Sequence, residues 1–209
     1  MNRGLFVTFE GVEGVGKSTQ ASLLAQRIRS ELQREVVLTR EPGGTVLAER
    51  LRELVLSDNA EPVDERTEAL IMAAARASHV SQLILPSMRD GRHVICDRFA
   101  GSYLAYQGFG RGLDLDVLGV ITHFASFAIE PDLTFLLEIE PGVAMERKGV
   151  IRDRIETESA EFFTRVSKGY SELALSDSWV SLDGTLPVME LHEEIFGNFL
   201  RVVQNFGER

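Results

Sequence analysis

Cysteine is almost absent from this sequence: Cys96 is the single thiol in 209 residues. One thiol cannot form an internal disulfide, which excludes the disulfide-stapled class of small secreted domains. The sequence also has no apolar run of the roughly 18 residues that a membrane span needs. Its first residues lack the long apolar stretch and cleavage site of a secretory leader. These absences predict a cytoplasmic protein, in which we expect Cys96 to be a small buried apolar residue.

Positive charge is scarce as well. The chain has 22 Lys and Arg against 32 Asp and Glu, a net charge of -10 at pH 7. Nucleic acid and anionic membranes both require a basic surface, so we expect neither as a partner. A local basic pocket for a phosphorylated small molecule is compatible with this balance. The histidines have no ligand-like spacing with cysteine or carboxylates, which predicts no zinc site and structural or surface roles for all of them. They are His79, His93, His123 and His192.

Short apolar runs alternate with segments of helical periodicity along the chain, and the length fits one domain spanning residues 1–209. Strands are predicted at residues 5–10, 36–39, 93–96, 133–139 and 179–182. Helices are predicted at 18–32, 46–56, 66–88 (stopped or kinked near Pro86), 115–129, 158–174 and 188–206, with another beginning at 141–147. Residues 102–112 contain three glycines, and we expect a loop there.

This alternation predicts an α/β fold, a doubly wound parallel five-stranded sheet flanked by helices. Ligands of such sheets bind beyond the carboxyl ends of the strands. Polar residues lie at or near the ends of four different predicted strands, and we expect them to converge on one crevice. They are Glu10, Arg40, Asp97 and Glu138.

Residues 11–18 match the phosphate-loop pattern G-x-x-x-x-G-K-[ST], between a predicted strand and a predicted helix. The glycines let backbone N–H groups surround phosphate oxygens, and the helix N-terminus adds partial positive charge. Lys17 is expected to reach the β- and γ-phosphates of ATP, and Ser18 to ligate Mg²⁺. The pattern indicates a P-loop NTPase fold. The residues predicted to bind ATP are Gly11, Val12, Glu13, Gly14, Val15, Gly16, Lys17, Ser18 and Thr19.

A dense basic segment follows the fourth predicted strand. Its charged members are Arg147, Lys148, Arg152 and Arg154. Phosphoryl transfer spreads negative charge over the migrating group, and arginines on a mobile segment neutralise that charge and exclude water. We interpret residues 147–156 as a short mobile lid, with a solvated charged helix end as the alternative.

Other polar residues have two interpretations each. Asp97 and Arg98, after an apolar strand, fit a metal and phosphate site or a surface ion pair. Arg76, among alanines on a long helix, fits a cleft or an exposed face. Tyr106 and Gln107 fit base binding or a simple turn.

Together these motifs resemble one family, the thymidylate kinases, which phosphorylate dTMP to dTDP. The resemblance covers nearly the whole chain, in order and spacing. The segment TREPGGT at residues 39–45 is the most specific part, because a general P-loop kinase need not contain it. The other matching stretches are FEG (9–11), GKST (16–19), AR (75–76), DR (97–98), AYQG (105–108), PDLT (131–134) and DRIE (153–156).

The resemblance implies residue roles, with ATP as donor, dTMP as acceptor, Mg²⁺, and a homodimer formed through residues 66–88 and 115–129. The catalytic set implied is Lys17, Arg40, Asp97, Arg98 and the lid arginines Arg147, Arg152 and Arg154. The substrate set implied is Glu10, Pro42, Met72, Arg76, Arg98, Ser102, Tyr103, Tyr106 and Gln107. The metal set implied is Ser18, Asp97 and Glu10. Arginines in the lid, with none in the phosphate loop, match the bacterial arrangement.

Two positions depart from the family pattern. Met72 replaces the phenylalanine that usually stacks on thymine, and Tyr103 follows Ser102 where a small polar residue is usual. These two residues favour one alternative to a dTMP kinase, a kinase of another nucleotide or small phosphorylated metabolite. A second alternative, from a different class, is a nucleotide-binding switch or interaction protein that transfers no phosphate.

Overall fold

The computed structural model of the chain describes residues 3–57, 61–140, 143 and 154–207. Five strands form one sheet in the order β2-β3-β1-β4-β5. Every neighbouring pair is parallel, which confirms the predicted five-stranded parallel sheet. The strands are β1 (Phe6–Glu10), β2 (Val36–Arg40), β3 (His93–Asp97), β4 (Leu133–Glu138) and β5 (Trp179–Asp183).

β1 is the central strand, and all five of its residues are buried. A strand covered by helices on both faces has no solvated side, so its sequence is a continuous apolar run rather than an alternating one. In the register, Phe9 lies opposite Asp97 of β3 and Glu10 opposite Leu136 of β4. The carboxyl ends of the central strands therefore meet at one edge of the sheet.

The helices cover both faces of this sheet. In chain order they are α1 (Lys17–Glu31), α2 (Val46–Leu56), α3 (Glu65–His79), α4 (Leu85–Arg89), α5 (Ala100–Tyr103), α6 (Leu115–Ala125), α7 (Ala160–Leu173) and α8 (Val188–Gly207). Two π-helical segments, Val80–Ile84 and Leu104–Gly110, continue α3 and α5, and a 3₁₀ turn spans Ile155–Thr157. In the described parts of the chain, no helix combines the length and apolar character that crossing a membrane requires.

Alternate residues of β1 enter two hydrophobic layers. Val7 belongs to the layer that contains Leu24 of α1 and Phe199 of α8. Phe6 belongs to the opposite layer, with Ile84. Successive side chains of a strand point to opposite faces, so one short apolar strand contributes to both layers. Cys96 also lies in the second layer with no exposed surface, as the sequence predicts.

The predicted loop within residues 102–112 is wrong for residues 102–110, and only Arg111 and Gly112 of this segment lie outside a helix. The segment is helical from Ala100 to Gly110, first as α5 and then as a π-helix. Gly108 and Gly110 are present because the backbone packs closely against other elements. A Cβ at Gly108 would lie 2.4 Å from Leu115 Cδ2, and one at Gly110 would lie 2.6 Å from Phe162 Cε2. Tertiary packing here outweighs the weak helix propensity of glycine.

The predicted kink near Pro86 takes the form of a π-helical turn just before the proline. The Leu85 N–H donates to the Val80 carbonyl, five residues back. Proline has no N–H and its ring crowds the preceding turn, so a wider turn accommodates it within one helical path. The predicted helix start at 141–147 lies outside the described residues except for Val143, and of the predicted lid only residues 154–156 are described.

Candidate active site

A cavity of about 480 Å³ opens at the carboxyl edge of the sheet, where β1, β2 and β3 end. It brings together residues that are far apart in the chain, as expected for a parallel α/β sheet. Its lining consists of Glu13, Gly14, Lys17, Ser18, Arg40, Glu41, Pro42, Arg52, Leu56, Met72, Arg76, Asp97, Arg98, Phe99, Ser102, Tyr103, Tyr106, Gln107 and Ile155.

The phosphate loop joins β1 directly to α1. Gly11 has a φ of 132°, and a Cβ there would lie 2.5 Å from the Leu137 carbonyl oxygen, so glycine is required. Gly16 precedes α1 and supplies no side chain to cap it. The first N–H groups of a helix lack intrahelical partners, so this N-terminus is suited to an anion. Val12 and Val15 are buried, whereas Glu13, Gly14, Lys17 and Ser18 line the cavity.

Lys17 is held inside the loop. Its Nζ donates to the Val12 carbonyl at 2.7 Å, and the residue is 6% exposed. Burial, with a smaller contribution from the positive charge of Arg98, lowers the pKa of Lys17 to about 8. A phosphate placed in the loop would stabilise the charged form.

Ser18 and Asp97 meet across the loop, where the Ser18 hydroxyl donates to the Asp97 carboxylate. Asp97 ends β3, so the sheet register brings this carboxylate to the start of α1. Both side chains line the cavity. Two of the three residues predicted for Mg²⁺, Ser18 and Asp97, are therefore brought together, whereas Glu10 is not among the residues that line the cavity.

Arg98 is hydrogen-bonded to the phosphate loop. Its φ of 70° lies in the left-handed region, which costs roughly 1–2 kcal/mol for a residue with a side chain. The guanidinium donates to the Gly11 carbonyl at 2.9 Å and to a Glu13 carboxylate oxygen at 2.5 Å. It also donates to Ser102 and Tyr170, each at 3.0 Å. These bonds hold the guanidinium between the phosphate loop and α5.

Glu10 does not line the cavity. It is 1% exposed, and its carboxylate accepts from the Phe99 N–H at 2.9 Å and the Ser102 hydroxyl at 2.5 Å. Burial raises its pKa, although hydrogen bonds from Ser102 and the charge of Arg98 oppose the shift. These two hydrogen bonds connect the end of β1 to the start of α5.

The opposite wall contains the side chains predicted for the acceptor. Arg40 donates to Glu49 at 3.0 Å and is more than half exposed at the rim. Tyr106 donates to Glu13 at 2.5 Å. Gln107 donates to Glu68 at 3.0 Å, and its Oε1 is buried with no partner among the described residues. Pro42, Met72, Arg76, Ser102 and Tyr103 line the same cavity.

Arg154, the one lid arginine within the described residues, is anchored away from the phosphate loop. Its Nε donates to the Val55 carbonyl at 2.9 Å, and an Nη donates to Glu68. Glu68 is 1% exposed and also accepts from Arg111 at 3.1 Å. Burial opposes the charge of Glu68, but bonds from Arg111, Gln107 and Arg154 outweigh it and lower the pKa. Arg147 and Arg152 lie outside the described residues.

Several side chains at or near the cavity have no role assigned from the sequence motifs. Glu41 lies inside the TREPGGT segment, and this position in a family motif was the one indication in the sequence that Glu41 belongs to the site. Arg52 lines the cavity and donates to the Pro42 carbonyl at 2.9 Å. Phe99 lines it too and contacts Arg76. No sequence pattern identifies Glu68 as the acceptor shared by two arginines, because their three positions are far apart in the chain.

Comparison with known proteins accounts for this arrangement. A family model described as thymidylate kinase matches residues 9–195. The chain belongs to the thymidylate kinase family. The resemblance drawn from its motifs is confirmed, and membership implies ATP as the phosphoryl donor.

Curated thymidylate kinases match over most of their length. The one from Pelotomaculum thermopropionicum is 46% identical over 175 residues, covering 82% of this chain and 81% of that protein. The one from Pelobacter propionicus is 38% identical over 208 residues, covering 95% and 94%. A crystal structure of thymidylate kinase from Ehrlichia chaffeensis superimposes with a TM-score of 0.76 at 31% identity, covering 94% of this chain and 99% of that one.

The protonation of Lys17 predicts proton uptake when ATP binds. With a pKa of about 8, roughly half of the Lys17 side chains are neutral at pH 8 in the free protein. The triphosphate favours the charged form, so binding at pH 8 should take up roughly half a proton per site. Affinity should fall as pH rises through 8, because the charged form becomes scarce. Calorimetric titrations in two buffers of different ionisation enthalpy measure the uptake.

Lys17→Arg is the matched control for this measurement. Arginine stays charged at pH 8, so its uptake should be close to zero. An uptake in the variant equal to that of the wild type would contradict the assignment to Lys17.

The ion pairs of Glu68 predict a large stability effect. Removing one partner of a buried pair typically costs about 3–5 kcal/mol, so Glu68→Gln should lower the free energy of unfolding by about 3 kcal/mol. The control Glu172→Gln alters an exposed pair with Lys168 and should cost under about 0.5 kcal/mol. Urea unfolding measures both. A loss of unfolding free energy in Glu68→Gln as small as that in Glu172→Gln would show that the ion pairs of Glu68 do not stabilise the fold.

The lowered pKa of Glu68 adds a pH dependence to the same comparison. A carboxyl whose pKa is lower in the folded state stabilises above its ordinary value, here 4.5, and loses that effect as pH falls through the folded pKa. The difference in the free energy of unfolding between the wild type and Glu68→Gln should therefore become smaller below about pH 4.5.

Proposed function

We propose that this protein transfers the γ-phosphoryl group of ATP to dTMP, giving dTDP and ADP for dTTP synthesis, as a single nucleoside-monophosphate kinase domain spanning residues 1–209. One observation carries the proposal: a single cavity joins the phosphate loop to an acceptor wall that contains Arg76 and Gln107. Family membership supports dTMP as the acceptor. Roles assigned to individual residues below are parts of this proposal.

The chemistry needs positioning and charge neutralisation more than proton transfer. The attacking oxygen belongs to a phosphate that is already anionic, so no strong general base is required. The α1 N-terminus and Lys17 hold the donor phosphates, and Arg98 lies between the two nucleotide sites. Pre-positioning the reactants supplies much of the rate enhancement in such reactions.

Mg²⁺ is part of the proposal, and the donor set fits it. Mg²⁺ in kinases is usually held by one or two protein oxygens together with substrate phosphates. Ser18 and Asp97 provide a hydroxyl and a carboxylate at one point of the cavity. When bound, Mg²⁺ neutralises charge on the β- and γ-phosphate oxygens. The burial and hydrogen bonds of Glu10 support a positioning role rather than direct ligation.

The lid arginines divide into two groups. The bonds of Arg154 to Glu68 and to the Val55 carbonyl support an anchoring role at the base of the lid. We assign contact with the transferred phosphoryl to Arg147 or Arg152, which lie outside the described residues.

A second candidate function differs from the first in the base of the acceptor nucleotide. Met72 lines the cavity without the flat ring usual in the family. Methionine still makes a soft apolar contact with a base, and Tyr103 adds aromatic surface beside Arg76 at 5.0 Å. Neither contact distinguishes one base from another, so Met72 and Tyr103 favour testing another nucleotide or small phosphorylated metabolite as the alternative acceptor.

A panel of monophosphates tests the proposal. We expect kcat/KM for dTMP to exceed that for dCMP, dGMP and AMP by at least about tenfold, because a pocket that hydrogen-bonds its substrate rejects mismatched groups strongly. Coupled ADP-release assays on purified protein measure it. Lys17→Ala should lose nearly all turnover while keeping its thermal unfolding temperature.

Three results would count against this function. Equal turnover of all four acceptors would refute the dTMP assignment. Near-normal activity of Lys17→Ala would refute the mechanism. Tight ATP binding without transfer to any monophosphate would instead support a non-catalytic switch.

The exposed apolar surface supports a homodimer. On α6, Val117, Val120 and Phe124 are 56%, 72% and 84% exposed, and Leu70 of the neighbouring α3 is 57% exposed. Contiguous exposed apolar patches mark interaction sites. The net charge of -10 supports the absence of a nucleic-acid partner, and the role in nucleotide synthesis supports a cytoplasmic location.

Changing one residue of this patch should separate the subunits. Phe124→Glu buries a charge in the proposed interface, and we expect sedimentation velocity to show a dimer for the wild type and a monomer for the variant. Leu175→Glu, which alters a side chain that is 86% exposed on another surface, should remain dimeric. A monomeric wild type at micromolar concentration would overturn the proposed dimer.

A further inference from the structure

Glu41 joins two side chains of α3, Arg76 and His79, and both Glu41 and Arg76 line the cavity. One carboxylate oxygen accepts from Arg76 Nε at 2.9 Å, and the other lies 3.0 Å from His79 Nδ1. Arg76 is 3% exposed, Glu41 5% and His79 0%. The Glu41 N–H also donates to the Asp97 carbonyl at 3.0 Å, which holds its backbone to β3. The carboxylate therefore sits in one place with both oxygens occupied.

The chemistry of the groups determines where the His79 proton lies. A carboxylate that is paired with arginine accepts hydrogen bonds and donates none, so His79 Nδ1 carries the proton. The other ring nitrogen, Nε2, lies 2.8 Å from the Thr39 hydroxyl. Both nitrogens are therefore engaged, and the imidazole connects the end of β2 to the carboxylate.

The backbone of Gly44 packs against the contact between His79 and Thr39. Its φ is 84°, and a Cβ there would lie 2.4 Å from His79 Nε2 and 2.7 Å from Thr39 Oγ1. The backbone thus covers the hydrogen bond without room for any side chain. Next to it, Thr45 Oγ1 lies 2.8 Å from Ser78 Oγ, a further contact between this loop and α3.

Arg76 is restrained on nearly every side. Besides Glu41, it donates from Nη2 to the Phe99 carbonyl at 3.1 Å. The rings of Phe99 and Tyr103 each have their centroid 5.0 Å from its guanidinium carbon. Its Nη1 is buried and has no hydrogen-bond partner among the described residues. Leaving a buried charged donor unpaired is costly, so this nitrogen calls for a ligand acceptor.

We infer that His79 is a positioning residue for the acceptor nucleotide: through Glu41 it sets the guanidinium of Arg76 so that Nη1 meets a carbonyl oxygen of the bound base. The inference rests on the proposed function, since it assigns His79 to the acceptor side of that reaction. His79 touches neither substrate and takes part in no chemical step. Without its hydrogen bond, one Glu41 oxygen loses its partner and the carboxylate is free to turn away from Arg76.

Two amide substitutions separate the two hydrogen bonds of His79. The amide nitrogen of asparagine lies close to the position of ring Nδ1, so His79→Asn keeps a donor for Glu41. The amide nitrogen of glutamine lies close to ring Nε2, so His79→Gln keeps a partner for Thr39 alone. His79→Leu removes both. Thr39→Val removes the threonine partner and leaves the rest of the chain of contacts intact.

Steady-state kinetics of these variants test the inference, with dTMP and ATP varied in turn. We expect His79→Gln and His79→Leu to raise KM for dTMP about tenfold or more, as for loss of a charge-assisted bond. KM for ATP should stay within about twofold of the wild type, because the donor phosphates lie on the other side of the cavity. For His79→Asn and Thr39→Val, KM for dTMP should stay within about threefold of the wild-type value.

A merely structural role for His79 gives a different pattern. Loss of packing alone would lower the unfolding temperature of all His79 variants and leave the two KM values unchanged or changed together. An unchanged KM for dTMP in His79→Leu, or equal KM values in His79→Asn and His79→Gln, would overturn the inference. If His79→Leu does not fold, the asparagine and glutamine pair decides.

The wild-type enzyme reports on the proposed function separately. If it turns over another monophosphate instead of dTMP, the proposed function fails, and the same variants are compared with that acceptor. The pattern across asparagine, glutamine and leucine then still supports or overturns the role of His79.

Discussion

Three buried carboxylates constrain the whole acceptor side of this enzyme. Glu10, Glu41 and Glu68 are 1%, 5% and 1% exposed, and a buried carboxylate is tolerated only with charged or hydrogen-bonding partners. Each takes its partners from the elements that form the cavity wall. Glu10 is hydrogen-bonded to the start of α5, Glu41 to α3, and Glu68 to Arg154. These hydrogen bonds are formed in the structure without a nucleotide.

The donor side is built differently. It relies on backbone N–H groups, glycine conformations and a helix N-terminus, with Lys17 bonded to the loop itself. Such a loop binds any polyphosphate, because backbone groups contain no information about the base. Under the proposed function, selectivity for the acceptor comes from the part of the cavity lined by Arg76 and Gln107. Met72 and Tyr103, the two departures from the family pattern, line the same cavity.

Local patterns predicted most of the fold. The five strands follow from short apolar runs, and α2 begins and ends where its periodicity indicates. The helical segment at Leu104–Gly110 was missed because its glycines disfavour a helix in isolation. They are required by the close approach of Leu115 and Phe162, which no local pattern contains. The widened turn at Val80–Ile84 is a similar case, since a proline predicts a kink but not its form.

By itself the sequence determined the phosphate loop, the alternation of strands and helices that implies a parallel sheet, and the family, because each is recognised from short motifs and their order along the chain. Tertiary structure alone decided which side chains pair across the strand order β2-β3-β1-β4-β5. Glu41 meets Arg76 35 positions away, and Arg154 meets Glu68 86 positions away. A hydrogen bond depends on ångström distances and on burial, and both arise only when the strands align and the helices pack. The phosphate loop was therefore evident from the sequence, whereas the hydrogen bonds that join Arg76 and His79 to Glu41 were not.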